Sequence, residues 1–219
     1  MNKLSLPLIT ALISSGMAFS ALAESSIDVS VGAEVWGFDT KIENSRKGSD
    51  TTGVIYVAIE HQIPYAPDVK LRYTPIDTKE VSFDQTDVTF YYEVLTTKEI
   101  SFDIGMTMMN FSNGEFTSNA GQHFTFSEWE MNWYADASLL IPNTNFYIFG
   151  QFDFGSNDET RTMDGQAGVK YRRKFFDTNM DIKMGYRVMD HEFGYFEGLD
   201  NMEGNAMVDG WFAGVAFSY

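Results

Sequence analysis

The amino-acid sequence predicts an all-β protein: a closed antiparallel up-and-down barrel that crosses a membrane on ten strands, with eight as the alternative. Three observations predict it. After Glu24, apolar and polar residues alternate with period two almost everywhere, and helical spacing appears almost nowhere. Several alternating runs reach the roughly 9–11 residues of a tilted membrane-crossing strand, whereas strands of soluble domains usually run about 5–6. The segments between runs alternate between short and long, as in a barrel with tight turns on one side of a membrane and loops on the other.

In chain order, the first element is a targeting signal. Lys3 gives a positive start, Leu4 to Ala21 is mostly apolar, and Ala21-Leu22-Ala23 is a small-x-small cleavage site. Residues 1–23 are therefore expected to be a cleaved signal peptide and 24–219 the barrel domain. Pro7 and the Ala-x-Ala end disfavour the alternative of an uncleaved anchor helix. Strands are expected at 27–38, 53–62, 69–76, 86–95, 99–110, 126–141, 144–154, 163–173, 178–190 and 206–219. In the fifth, Ile100, Phe102, Ile104, Met106 and Met108 oppose Ser101, Asp103, Gly105 and Thr107. In the sixth, Trp129, Met131, Trp133, Ala135, Ala137, Leu139 and Ile141 oppose Glu130, Asn132, Tyr134, Asp136, Ser138 and Leu140. Phe146, Phe152 and Phe154 share the apolar face of the seventh, and Tyr171 lies on that of the eighth. In the ninth, Met180, Ile182, Met184, Tyr186 and Val188 oppose Asp181, Lys183, Gly185 and Arg187. The tenth aligns Trp211, Ala213, Val215, Phe217 and Tyr219, with Phe212 as an exception on the opposite face. Short turns fall at 63–68, 96–98, 142–143 and 174–177, with Pro64, Pro67 and Pro142 among them. Long loops fall at 39–52, 77–85, 111–125, 155–162 and 191–205. An even strand count puts both termini on the short-turn, periplasmic side.

Composition narrows the function classes. The 219 residues hold 15 Lys+Arg against 31 Asp+Glu, a formal net charge of -16, and no cysteine. Zero Cys excludes disulfide scaffolds, zinc ribbons, thiol catalysis and Cys-anchored lipoproteins. Nucleic acid is not an expected partner, because phosphate binding draws on clustered Lys and Arg. Aromatics reach 16%, although mean hydropathy is below zero. Closure reconciles the two: in hydrocarbon a sheet must pair every backbone group, its outer face must be apolar, and its inner face can be polar. Tyr73, Phe102, Trp129, Trp133, Phe146, Phe152, Phe154, Tyr171, Tyr186, Trp211, Phe217 and Tyr219 all take the outward parity.

The carboxy-terminal Trp211-Phe212-Ala213-Gly214-Val215-Ala216-Phe217-Ser218-Tyr219 resembles the insertion signal of bacterial outer-membrane proteins, with Trp211, Val215, Phe217 and Tyr219 carrying the pattern. The whole mature chain resembles the small, functionally uncharacterised outer-membrane β-barrel proteins of gammaproteobacteria. That resemblance implies outer-membrane localisation, contact with outer-membrane lipid and lipopolysaccharide, and recognition of the last strand by the barrel-assembly machinery.

Parity sends Asp28, Glu34, Glu60, Glu93, Asp103, Glu128, Glu130, Asp136, Asp153, Asp164 and Asp181 into the interior. It sends Lys70, Arg72, Lys170, Arg172, Lys183 and Arg187 there too. Buried charges require partners or water, so a closed interior of ion pairs is expected, with Lys170 opposite Asp181, and Glu60 near Lys70 and Arg72. The functional reading of the same residues is a narrow, cation-preferring, porin-like conduit. Enzymatic alternatives, a lipid-modifying or proteolytic barrel hydrolase, rest on His123 with Ser127 and on Asp190-His191-Glu192. Adjacent strand residues face opposite sides, which weakens that second cluster as a dyad. A soluble periplasmic barrel with inverted faces, holding an apolar ligand, is the other alternative. Acidic loop residues Asp158, Glu159, Glu192, Glu197, Asp200 and Glu203 are candidates for divalent cations, although Asp200 to Asn205 lacks calcium-loop spacing. No catalytic, cofactor or strand-borne metal site is implied.

Overall fold

The computed structural model describes residues 27–42, 45–118, 121–156, 160–193 and 204–219. The expected signal peptide lies outside the described residues, and so do Glu43, Asp158, Glu159, Glu197, Asp200 and Glu203. Among the described residues there are ten strands: β1 (Ile27–Ile42), β2 (Ser45–His61), β3 (Asp68–Asp77), β4 (Val81–Thr96), β5 (Ile100–Thr117), β6 (His123–Leu140), β7 (Phe146–Ser156), β8 (Thr160–Phe175), β9 (Thr178–Phe193) and β10 (Gly204–Ser218). Each pairs antiparallel with its sequence neighbours, and β10 pairs with β1 to close the barrel. The count is ten, since residues 69–76 form regular ladder within β3.

One circuit of paired residues fixes the stagger. From Val29 the pairs run through Ile59, Val69, Phe90, Met106, Trp133, Phe154, Met163, Asp190 and Met207 back to Lys41, twelve positions along β1 from 29 to 41. Such a stagger over ten strands tilts them roughly 40° from the axis. At the closure, Tyr219 N donates to Val29 O (2.9 Å) and Val29 N to Tyr219 O (3.3 Å).

The expected contrast between short turns and long loops does not hold. Connections on one side are 62–67, 97–99, 141–145 and 176–177; on the other they are 43–44, 78–80, 118–122, 157–159 and 194–203. Residues expected as the first four long loops mostly continue the strands. The reason is an exchange of faces along each strand. In the half nearer the short turns, Val35, Phe90, Ile104, Trp133 and Met184 point outward, exposed, while Glu34, Tyr91, Tyr134 and Lys183 point inward. Toward the other end the parity continues but the chemistry swaps. Phe38, Ile42, Val81, Phe83, Phe111 and Phe126 point inward and are buried, while Asp39, Lys41, Ser82, Asp84 and Ser127 point outward. Past the middle of these strands the outward side chains are polar and the apolar residues turn inward, while the backbone keeps its ladder.

A β-bulge preserves this arrangement in β5. The register against β6 shifts between Phe111 and Gly114, with Asn113 at φ 53°, so Phe111 and Phe116 both reach the interior despite opposite parity. Two seams open away from the short turns. The β2–β3 ladder stops at Ile55↔Tyr73, below the position where Pro75 would have to donate. Pro75 has no N–H, and its carbonyl instead accepts from Thr52 Oγ1 at 2.6 Å. The β6–β7 ladder stops at Trp133↔Phe154.

Candidate functional site: the lumen

The interior is stacked in three zones. At the short-turn end is an open vestibule of about 320 Å³, adjoining an inner chamber of about 120 Å³. Glu60, Glu93, Asp103, Asp136, Lys70, Lys170, Arg172 and Asp181 line the vestibule with Tyr56, Tyr91, Tyr134 and Tyr147. Lys183, Gln151 and Gln166 close the inner chamber. Aromatic faces hold the cations: Lys170 Nζ lies 5.4 Å from the Tyr147 ring centre and Lys183 Nζ 4.4 Å from that of Tyr56.

Deeper lies a buried ion network. Arg72 Nε donates to Asp87 at 2.8 Å, and its Nη2 to Asp164 at 2.6 Å and Asp153 at 3.4 Å. Arg187 grips Asp164 with two bonds, Nε at 2.9 Å and Nη2 at 2.6 Å. Thr107 Oγ1 and Gln151 Nε2 donate to Asp153 at 2.5 and 3.1 Å, and Gln85 Nε2 to Asp87 at 2.9 Å. These bonds join β3, β4, β5, β7, β8 and β9, so they cross the lumen as well as following its wall. Nearby, Lys183 Nζ meets Glu34 Oε1 at 2.5 Å. Arg187, fully buried, also stacks 4.7 Å from the Trp36 ring centre, which marks the start of the third zone. There Trp36, Phe38, Phe83, Met109, Phe111, Phe116, Phe126 and Met189 form one apolar cluster across the lumen.

The expected lumen residues divide among these zones. Glu60, Lys70, Glu93, Asp103, Asp136, Lys170 and Asp181 line the vestibule; Lys183 lines the inner chamber and pairs with buried Glu34 behind it; Arg72, Asp153, Asp164 and Arg187 form the network; Glu130 is buried farther up β6. Asp28 is exposed at the rim and Glu128 half-buried. Two expected pairings are corrected by register. Asp181 stands opposite Arg172, which binds it through two bonds of 2.7 Å, while Lys170 stands opposite Lys183 and reaches Asp181 only at 4.0 Å. Glu60 pairs with neither Lys70 nor Arg72; it accepts from Tyr91 OH at 3.0 Å, while Lys70 donates to Gln151 at 2.6 Å. The two-residue 176–177 turn and the six-residue 62–67 turn set these registers.

Sequence reasoning omitted Asp87, Gln85 and Tyr56, and it put Thr107 on the polar face of β5 without assigning it a partner. Asp87 shares parity with Glu93 and Tyr56 shares parity with Glu60, so alternation alone could have placed them. His191 lies deep in the barrel rather than at a loop: it is buried against Phe111 and Phe83, with Nε2 3.3 Å from Gln85 Oε1. Asp190 accepts from Asn205, and Glu192 faces Arg161 at 3.5 Å, so the triplet does not converge. His123 Nδ1 lies 2.9 Å from Thr117 Oγ1 at an exposed hairpin tip. His61 sits at the short-turn end, 3.8 Å from Asp68. Phe212, the exception in the last strand, points into the lumen and packs edge-on against Phe149. Trp211 and Val215 of the same strand are outward and exposed, with Phe217 and Tyr219 half-buried. Among the described residues no group of three acidic or histidine side chains is placed to hold a metal ion.

No family model and no curated protein matches the chain. Solved structures are similar at low identity. The β domain of the Bordetella autotransporter Brka is 12% identical over 87% of this chain and 98% of its own, with a TM-score of 0.42. The translocator domain of the autotransporter NalP from Neisseria meningitidis is 10% identical over 96% and 97%, with a TM-score of 0.40. Neisserial surface protein A is 13% identical over 86% and 95%, with a TM-score of 0.37.

Proposed function

We propose that this chain is an integral bacterial outer-membrane β-barrel, sealed against solute flow, whose role is structural or surface-directed through the hairpins that extend past the membrane band. The observation that carries this reading is the exchange of faces. Outward residues from Ile100 to Met108 on β5 are apolar, a band of about 20–25 Å at this tilt, which suits the apolar belt of such barrels. Trp129, Trp133 and Trp211 are more than 60% exposed, a poor arrangement in water and a good one among lipids. A soluble barrel with an apolar cavity would keep its apolar side inward along the whole strand.

Sealing follows from the ion network and the aromatic zone above it, which together favour this role over a cation-preferring pore. Asp190, His191 and Glu192 do not converge and His123 contacts Thr117, which favours this role over a hydrolase centred on them. In this reading the short-turn end is periplasmic, lipopolysaccharide surrounds the opposite rim, and the outward Trp211 and Val215 belong to the signal read during assembly. The test is to refold residues 24–219 and record in planar bilayers. Insertion with no discrete conductance steps is expected. Stable, detergent-free solubility would overturn the membrane assignment, and reproducible cation-selective steps would overturn the seal.

A further inference from the structure

The charges of the vestibule are not distributed like those of the network above it. Every carboxylate of the network has a guanidinium within 3.4 Å. By contrast Glu60, Glu93, Asp103 and Asp136 have no cation within 4 Å among the described residues. They come from β2, β4, β5 and β6, and Glu93, Asp103 and Asp136 occupy one continuous row of pairs. Oδ1 of Asp103 is buried yet has no hydrogen-bond partner. Positive charge gathers elsewhere, toward the inner chamber. Among the described residues Lys70 forms no ion pair, donating to Gln151 instead, and Lys170 reaches a carboxylate only at 4.0 Å. Gln166, more than nine-tenths buried in that chamber, leaves its Oε1 without a partner. Glu93 is exposed at the mouth, but half-buried Asp103 and Asp136 with Lys70 and Lys170 leave charge of both signs in one cavity, which is costly unless water or a ligand of matching polarity occupies it.

We propose that the vestibule binds a small zwitterion, with its ammonium on the Glu93–Asp103–Asp136 wall and its carboxylate toward Lys170 and Lys70. Three features select this class. The missing metal geometry argues against a divalent ion on the acidic wall, while Tyr91 and Tyr134, with rings 5.8 Å apart, offer aromatic faces suited to an organic ammonium. Lys170 on β8, and Lys70 reaching from β3 to Gln151 on β7, require an anion at the other end. Asp136 is level with Gln166 on β8, so Lys170 lies two strand spacings across and four residues along, about 16 Å between backbones, and the inward Asp136 and Lys170 side chains shorten this to the length of a five-carbon chain. The inference depends on the lumen's charge layout and stands independently of the surface role.

The probe is 6-aminohexanoate, titrated calorimetrically into the folded wild-type barrel in neutral detergent, with hexylamine and hexanoate as half-charged controls. The zwitterion is expected to bind at least about tenfold more tightly than either control, the factor for losing one charge-assisted contact. Asp103→Asn combined with Asp136→Asn should weaken it by about the same factor, as should Lys170→Gln. Equal binding of hexylamine would reduce the site to an acidic wall and overturn the proposal. Displacement by calcium, or no saturable binding of 6-aminohexanoate, would overturn it as well. The comparison of the three probes on wild type needs no variant, so it stands even if a substitution prevents folding.

Discussion

Replacing Asp164 with alanine tests whether the buried network holds the barrel shut. Asp164 is 1% exposed and accepts three short bonds: 2.6 Å from Arg72, and 2.9 and 2.6 Å from Arg187. Each charge-assisted bond contributes about 1.5–3 kcal/mol, so the gross loss is several kcal/mol. Relaxation toward Asp87 and Asp153, together with water drawn from the inner chamber, recovers part of it. The net destabilisation expected is about 3–5 kcal/mol, the usual result of stranding buried charge. It would be read as a lower midpoint in urea titrations of the barrel in phospholipid vesicles, at unchanged slope. Pairing Asp164→Leu with Arg187→Met should recover most of that loss, because an apolar replacement leaves no orphaned guanidinium there. A loss below about 1 kcal/mol for the alanine variant would refute the reasoning. It would mean that water already solvates both guanidiniums and that the network is not a seal.

Other perturbations separate the remaining zones. Phe111→Ala in the aromatic zone should cost about 3–5 kcal/mol in the same urea assay, since Phe111 is fully buried against Phe83, Phe126 and His191. Gly32→Val should displace the Tyr56 ring, which occupies the space a side chain would need. The expected readout is lost Lys183–Tyr56 packing and slower refolding into vesicles, with the outer belt unaltered. Pro75→Val should restore a donor opposite Gly53 and extend the β2–β3 ladder. Slower amide exchange around Thr52–Val54 and a gain of about 0.5–1.5 kcal/mol are expected; unchanged exchange would show that the seam has another cause.

Parity recovered the architecture because a closed barrel imposes one rule on every strand, successive side chains facing inside and outside in turn. Ile100 to Met108, Trp129 to Ile141 and Trp211 to Tyr219 each carry that rule without help from distant residues. It failed at strand ends such as Phe38 to Ile42 and Phe111 to Phe116, where apolar residues turn inward. There the expected contrast between lumen and belt reverses, so a continuing strand resembles a loop. The β5 bulge deepens the difficulty by shifting parity within a single strand.

By itself the sequence determined the closed antiparallel order, with ten strands favoured over eight, and it placed most lumen charges but not Asp87, because alternation is local. Only the tertiary structure decided which of those charges meet. Arg72 reaches Asp153 and Asp164 across the lumen, and Arg172 rather than Lys170 faces Asp181. Such meetings depend on the twelve-residue stagger and on turn lengths that set register, which no single strand encodes. The same geometry separates a fully ion-paired network from a vestibule in which Glu60, Glu93, Asp103 and Asp136 have no cation within 4 Å among the described residues.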